Sequence, residues 1–253
     1  MKQNIFFVAL VMALMSCSIT TDDAGAKAPD SEVRMNIEPG SLQETAVRDG
    51  WKLDMVDVAR SAADLTSFEK DVILALNMVR LDPVRYAELY IKPILTTFNG
   101  RIRVINGKTL RTDEGRIPAE ELYEYLIHHI PVAPLAYSPD LHRSAVELSF
   151  DQSKTGKIGH ITSIGRSYDV RIRSNGRWKS GVAEAIGYGG KTGFDMVNNL
   201  LIDEGLKDRG DRLIIMDSLY HYAGVSVKTH SDYGSIAVID FAVAIADKIK
   251  GSK

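Results

Sequence analysis

The sequence predicts an α+β domain in which helices cover both sides of a small sheet. Helical patterns with clear capping signals come mainly first along the chain, and hairpin-spaced strand patterns come last. The final strand pattern, at 234–245, is apolar at nearly every residue, as expected for a strand that is covered on both faces. Neither group of elements could bury its own apolar surface alone.

The sharpest helix start is at Thr66. Thr66 and Glu69 have the spacing of a capping box, so the sequence predicts a helix from Ser67 to Arg80 that ends before Pro83. A second helical piece is expected to follow this proline, through residue 91. The apolar positions that share one face of the first helix are Val72, Leu76 and Val79.

The next segment, 92–115, carries glycines and basic residues and predicts a long loop or a small hairpin. A helix is then expected from Ala119 to His129. Two more helices have N-terminal signals, with Ser138 as a cap before Pro139 and Thr192 as a cap for a helix that ends at Gly205. The residues expected on the buried sides of these two helices are Leu141, Ala145, Leu148, Phe194, Val197 and Leu201.

Three segments are typical of strands, at 180–189, 222–230 and 234–245. Asp240 interrupts the last of them. A buried carboxylate needs a partner, and an arginine or a backbone amide is the expected one.

The first residues indicate export from the cytoplasm. Lys2 precedes an apolar run that is too short to span a bilayer as a permanent helix, and this pattern is typical of a signal peptide. The run ends in "LMSC", which resembles a bacterial lipobox and predicts a lipoprotein signal peptide at 1–16 with a lipid on Cys17. A plain signal peptide or a buried cysteine is the alternative.

Cys17 is the only cysteine, so the chain has no disulfide and no metal-thiolate chemistry within itself. The polar residues that follow it suit a flexible tether. We therefore expect a lipidated cysteine, a tether and an N-terminal extension over 17–64, and one domain over 65–250. Ser18 after the lipidated position favours the outer membrane, with the periplasmic or the surface face left open.

Composition argues against a polyelectrolyte partner, because the formal net charge is −2 at pH 7. The arginines at 166, 171, 173 and 177 are balanced by acids elsewhere, and no aromatic residues interleave them as in nucleic-acid surfaces. The chain also has no His-Glu-x-x-His or Gly-x-Ser-x-Gly motif, which removes two common hydrolase sites.

Several stretches resemble the CAP superfamily, also called SCP-like, of cysteine-rich secretory proteins, antigen 5 and pathogenesis-related proteins. The resemblance extends in order from Leu65 to Ala246 and implies an α-β-α three-layer sandwich with a small central sheet. Asn77 and Arg80 match polar positions of the family's opening helix. The stretches that carry the resemblance are "LTSFEKDVILALNMVRLDPVRYAELYI", "PLAYSPDLHRSA", "GHITSIGRSYDVRIRSNGRW", "VAEAIGYG", "LLIDEGLKDRGDRLIIMD", "YAGVSVKTH" and "VIDFA".

Members of this family share a surface cavity with two histidines and two acids. The resemblance places the first histidine at His160, one acid at Glu184 and the other at Glu204 or its neighbour Asp203. The second histidine is replaced by Asp211, because "RGDR" stands where the family has Arg-Gly-His-Arg. With one imidazole left, the cavity either binds a divalent metal weakly or forms a salt-bridged cluster without metal. Arg171 is expected to pair with a buried acid.

For function, the resemblance implies a membrane-anchored lipoprotein of the bacterial envelope. Its domain is expected to be a non-enzymatic binding module with a surface cavity for a small or lipidic ligand or for a protein partner. One alternative is a metal-assisted hydrolase that uses His160 and Glu184, and another is a structural or adhesion protein with a vestigial cavity. The expected partners are the membrane, through Cys17, and a lipid or a protein, with no nucleic acid.

Overall fold

The structure is a computed structural model that describes residues 40–105 and 108–245. The predicted signal peptide, Cys17 and most of the predicted tether lie outside the described residues, as does the C-terminal end of the predicted domain. Within the described residues, no helix combines the length and apolar character that a membrane crossing requires.

The described chain begins with two short helices, α1 (Leu42–Arg48) and α2 (Leu53–Val56). Trp51, Leu53 and Val56 are buried in the same apolar cluster as the helices that follow. The domain boundary predicted at residue 65 therefore needs correction, because residues 40–64 contribute to the core. Short helices with irregularly spaced apolar residues gave no periodic signal in the sequence.

Helix α3 (Ser67–Leu81) starts with the predicted capping box, since Thr66 and Glu69 each accept from the other's backbone N–H. After Asp82 the chain continues as α4 (Pro83–Tyr86), a π-helical turn (Ala87–Ile91) and α5 (Lys92–Leu95). The helical piece expected after Pro83 is present, and it runs four residues beyond its predicted end at 91.

A three-stranded antiparallel meander follows, with β1 (Phe98–Asn99), β2 (Ile102–Ile105) and β3 (Lys108–Arg111). The segment predicted as a loop or a small hairpin is thus a hairpin with one additional short strand. Its alternating faces place Arg103 opposite Leu110 and Ile105 opposite Lys108 on the side that faces the protein.

The middle of the chain contains α6 (Ile117–His128), the short strand β4 (Ala136–Tyr137), α7 (Pro139–Thr155) and α8 (Tyr168–Asn175). Ser138 caps α7 by accepting from the backbone N–H of the third helical residue, as predicted.

The remaining elements are β5 (Trp178–Tyr188), α9 (Gly193–Ile202), α10 (Gly210–Met216), β6 (Tyr222–His230) and β7 (Gly234–Ile245). The three predicted strands are present. Helix α9 has the predicted cap at its start and ends before the predicted residue, because the next residue adopts a left-handed conformation.

Four strands form the central sheet in the order β4-β6-β7-β5, with β4 parallel to β6 and the other neighbours antiparallel. Helices α3 and α9 cover one face, and α7 and α8 cover the other. Gly224 on β6 permits the close approach of α7, because a side chain there would collide with the backbone at His142. The predicted α+β class with helices on both faces of a small sheet is confirmed.

Strand β7 shows how both faces are buried. Alternate residues face the two helix layers, so that the strand is apolar at almost every position. Asp240 lies on the α7 side of this strand. The residues that face α3 and α9 are Ala237, Ile239 and Phe241, and those that face α7 and α8 are Ile236, Val238 and Ala242.

Candidate functional site

His160 lies in the loop between α7 and α8, and this loop is fixed by hydrogen bonds to its neighbours. The backbone N–H of Gly159 donates to the Tyr188 hydroxyl over 3.1 Å, and Gln152 donates to the Gly159 carbonyl. Arg171 donates over 3.0 Å to the carbonyls of both His160 and Arg166. The position of the imidazole is therefore set by contacts on both sides of it.

The imidazole of His160 meets Glu184 on the edge strand β5. Its Nδ1 lies 2.9 Å from Glu184 Oε1, and Arg171 donates to the other oxygen of the same carboxylate. Glu184 and Arg171 have fully buried side chains, whereas that of His160 is 51 % exposed. The predicted pairing of Arg171 with a buried acid is present, and it also orients the histidine.

Asp240 lies directly across from Glu184 in the β5–β7 ladder and is fully buried. Ser144 and Glu184 are its polar neighbours, but neither carboxyl oxygen completes a hydrogen bond within the described residues. Burial, reinforced by the charge of Glu184, raises the pKa of Asp240 well above its usual range. Among the described residues, the expected arginine or amide partner of Asp240 is missing, because Arg171 pairs with Glu184 instead.

Asp211 lies in the first turn of α10, beside Asp203. The backbone N–H of Asp211 donates to Asp203 Oδ2 over 3.0 Å, and Asp203 itself is in a left-handed conformation (φ 52°) after α9. Burial raises the pKa of Asp211 to about 7, and the charge of Asp203 acts in the same direction.

The side chain of Glu204 is held by backbone groups of the segment that follows β3. Its Oε1 accepts from the backbone N–H groups of Asp113 and Glu114, over 2.7 and 3.2 Å. In return, Glu114 accepts from the backbone N–H of Gly205 over 2.7 Å and pairs with both terminal nitrogens of Arg209. Glu204 therefore connects the base of the meander, at Asp113 and Glu114 just after β3, to the end of α9.

These elements enclose a cavity of about 710 Å³ at the β5 edge of the sheet. The α7–α8 loop forms one wall, the segment from α9 to α10 forms another, and β2 and β3 form the roof. His160, Glu204 and Asp211 all line it, whereas Glu184 is buried behind His160. The apolar lining residues are Leu110, Ile158, Ile186, Leu200, Ile202 and Leu206.

Electrostatics in the cavity favour bound protons. The hydrogen bond to Glu184 raises the pKa of His160, and the charge of Asp211 contributes in the same direction. Burial likewise raises the pKa of Asp203. Near neutral pH the cavity therefore holds a partly protonated set of one imidazole and neighbouring acids.

The residues do not fit a metal site. Among the described residues, no three His, Cys, Asp or Glu side chains are close enough to hold one ion. Both oxygens of Glu184 are engaged by His160 and Arg171, and Glu204 is engaged by backbone amides. His160, Glu204 and Asp211 line one cavity, but the three side chains are not arranged as ligands of a single metal ion.

A second cavity, of about 540 Å³, lies under the other end of the same roof. Arg103, Leu110 and Asn199 line both cavities, so the two are neighbours. The guanidinium carbon of Arg103 lies 5.5 Å from the centroid of the Phe98 ring, which is within the range of a cation–π contact. This contact holds the arginine side chain between the two cavities.

Sequence reasoning missed two parts of this site. The hairpin of β2 and β3 was one of two alternatives for its segment, but its position over the cavity was not predicted. The Tyr188 hydroxyl, which accepts from Gly159 and donates 2.9 Å to Gln152, also went unnoticed. No local pattern in the sequence identifies that contact, because its three residues lie on different elements.

Comparisons with known proteins give partial similarities at low sequence identity. No family model matches the chain, and no curated protein matches it significantly. An outer surface protein from Borrelia burgdorferi is similar with a TM-score of 0.37 and 16% identity, over 44% of this chain and 78% of that one. An extracellular protein containing an SCP domain, from Bacillus anthracis, is similar with a TM-score of 0.38 and 15% identity, over 51% of this chain and 39% of that one.

Proposed function

We propose that this chain is a lipid-anchored envelope protein whose CAP-like domain binds a small amphipathic ligand in the cavity beside His160. The observation that carries the proposal is the cavity itself. It encloses about 710 Å³ and combines apolar walls with a few polar groups, as small-molecule sites commonly do. Its walls are fixed by the hydrogen bonds of the α7–α8 loop and by the Glu204 contacts, so the cavity is formed before a ligand arrives.

The acids at the end of α9 and the start of α10 favour a cationic or hydrogen-bond-donating ligand group on that wall of the cavity, whereas Arg103 and Arg111 lie in its roof. Asp203, Glu204 and Asp211 lie on one wall of the cavity. The raised pKa values of Asp203 and Asp211 indicate that their negative charges are poorly compensated by the protein. A ligand ammonium group would supply that compensation, while its apolar part contacts the Ile and Leu side chains.

No observation favours the hydrolase alternative. Glu184 is buried, and both of its oxygens already have partners, so it cannot serve as a base for a substrate in this arrangement. His160 is oriented by Glu184, but no nucleophilic side chain is hydrogen-bonded to it within the described residues.

Titration calorimetry at pH 8 with octylammonium and with octanoate tests the cavity. We expect octylammonium to bind, octanoate to bind at least tenfold more weakly, and Asp211→Asn to weaken octylammonium about tenfold, because a charge-assisted hydrogen bond is worth about 1.5–3 kcal/mol. Asp54→Asn, at an exposed position on α2, is the matched control and should leave binding unchanged. Failure of octylammonium to bind, or equal affinity of the two probes, would refute this ligand class.

The lipid anchor is proposed from the sequence alone. "LMSC" predicts attachment at Cys17, and incorporation of an alkyne-tagged palmitate by growing cells measures it directly. We expect label in the wild-type chain and in Ser18→Ala, and none in Cys17→Ser. An unlabelled wild-type chain, or a labelled Cys17→Ser chain, would contradict the anchor.

A further inference from the structure

The loop between α7 and α8 carries three exposed isoleucines, of which Ile158 lines the cavity and the other two do not. Ile158, Ile161 and Ile164 are 60%, 57% and 80% exposed. Phe150 on the adjoining end of α7 is 55% exposed. Scattered exposed apolar residues are common on proteins, but four of them on one short segment call for a physical reason.

Their exposure is imposed by the structure of the loop. Ile164 stands at the apex of a turn in which Gly165 has φ +84° and donates 2.9 Å to the Thr162 carbonyl. The backbone N–H and the hydroxyl of Ser163 both donate to the Asp151 carboxylate. These hydrogen bonds fix the turn against α7, and the isoleucine side chains of the turn remain exposed to solvent.

Two lysines precede this apolar apex on the same segment of the chain. Between residues 147 and 166 there are three basic side chains, Lys154, Lys157 and Arg166, and two acidic side chains, Glu147 and Asp151, which gives a net charge of 3 − 2 = +1. Lys154 lies 5.3 Å over the Phe150 ring, so an ammonium and an aromatic face are presented together. Arg166 pairs with Glu147 over 2.7 Å, so the excess positive charge of this segment comes from Lys154 and Lys157, with Asp151 as the opposing acid.

We infer that the α7–α8 loop is a membrane-docking loop, in which the isoleucines enter the headgroup region of an anionic bilayer and the flanking lysines contact its phosphates. Aliphatic side chains on a protruding turn with adjacent lysines are the combination that interfacial binding requires. A protein partner fits less well, because three isoleucines on one loop and a phenylalanine at the end of α7 fall short of the roughly 800 Å² per partner that a standard interface buries. A second copy of the chain would also bring the same cations against each other.

A site-specific fluorophore tests where the loop goes. In the full chain with Cys17→Ser, the variant Ile164→Cys is labelled with an environment-sensitive dye and mixed with vesicles of phosphatidylcholine and phosphatidylglycerol. Ile130→Cys is the matched control, because Ile130 is 74% exposed on a different connection. We expect a severalfold rise in emission at position 164 that lipid-chain quenchers reverse, a smaller rise in 0.5 M salt or with phosphatidylcholine alone, and little change at 130.

Charge placed at the apex gives a second measurement. Ile161→Asp with Ile164→Asp should lower vesicle partitioning at least tenfold and leave the thermal midpoint unchanged, whereas Ile130→Asp should change neither. Equal dye responses at 164 and 130, no response at 164, or a response at 164 that depends on protein concentration without vesicles would overturn the inference. The last of these results would indicate contact between two copies. Both measurements are independent of the cavity ligand and of the Cys17 lipid.

Discussion

Arg80→Leu is expected to lower the free energy of unfolding by about 3–5 kcal/mol. Arg80 is fully buried on α3, and its guanidinium donates to four backbone carbonyls. Because a typical domain is stable by only about 5–15 kcal/mol, this single change will leave the chain marginally folded. The four acceptors are the carbonyls of Ala133, Ile215, Asp217 and Tyr220, at 2.9, 2.6, 3.0 and 2.9 Å.

Leucine at position 80 has no hydrogen-bond donor, so all four buried carbonyls lose the partner that Arg80 supplies. The four carbonyls belong to three separate segments, at residue 133, at the end of α10 and at residue 220, and they converge on one cation. Burial lowers the pKa of Arg80 to about 10, so the side chain stays charged at neutral pH and holds these carbonyl dipoles together. Asn77, one turn earlier on α3, donates to the carbonyls of Val56 and Leu135 and accepts from the backbone N–H of Leu135.

Chemical denaturation measures the effect, with Arg116→Leu as the matched control. Arg116 pairs with Glu120 on the exposed side of α6, and such surface pairs contribute about 0–1 kcal/mol. Arg80→Lys should fall between the two, because one ammonium cannot reach all four acceptors. A midpoint for Arg80→Leu within error of that for Arg116→Leu would show that the four carbonyls find other donors. Arg80 would then not be needed to hold these segments together.

Asp211→Asn is expected to stabilise the protein by about 2–4 kcal/mol at pH 8 and to have almost no effect at pH 4. The folded-state pKa of Asp211 is raised from 3.8 to about 7, chiefly by burial, with Asp203 as the main charged contributor. A tenfold difference in proton affinity between the folded and unfolded chains corresponds to about 1.36 kcal/mol. Asparagine keeps the size of the side chain and removes the charge.

The direction of this stability change depends on whether the folded or the unfolded chain binds the Asp211 proton more tightly. The folded chain keeps the Asp211 proton up to about pH 7, whereas the unfolded chain releases it near 3.8, so the wild-type protein loses stability as the pH rises between these values. His160 acts in the same direction, since its raised pKa gives stability below its ordinary pKa of 6.5 that is lost as the pH rises through the folded value. Removing Asp211 weakens that second contribution slightly, because its charge is a lesser cause of the raised pKa of His160.

Unfolding free energies of the wild-type and Asp211→Asn chains between pH 4 and 8 provide the measurement. The difference between the two should grow with pH and level off above about pH 7. Asp54→Asn, at an exposed position, should track the wild-type protein throughout. A difference that is constant with pH, or a less stable Asp211→Asn chain at pH 8, would show that the carboxylate is not strained by its surroundings.

The sequence predicted those elements whose signals are local. The Thr66–Glu69 capping box and the Ser138 and Thr192 caps marked helix starts correctly, because a cap is formed by residues three apart. The apolar run at 234–245 correctly predicted a strand buried on both faces, because this signal also lies within one short stretch of sequence. The contacts of His160, Glu184 and Arg171 could be anticipated only through a family resemblance, since they join a loop, a strand and a helix.

What the sequence could not predict depends on distant partners. Residues 40–64 lack periodicity, and only the packing of Trp51 and its neighbours shows that they belong to the core. Asp240 was expected to have an arginine or amide partner, but competition for one guanidinium left it without one among the described residues. The left-handed conformation of Asp203, which aims its carboxylate at the start of α10, follows from the turn between two helices.

The way in which the meander is attached has a consequence for how this protein could diversify. Strands β2 and β3 roof both cavities, yet apart from a partly buried Phe98 on β1 none of the meander's described residues packs into the three apolar clusters. The contacts at Glu204 and Glu114 hold the base of the meander, while the strand residues above it can be exchanged at little cost in stability. Natural variation or deliberate grafting of this segment would therefore change the lining of both cavities independently of the sandwich beneath it.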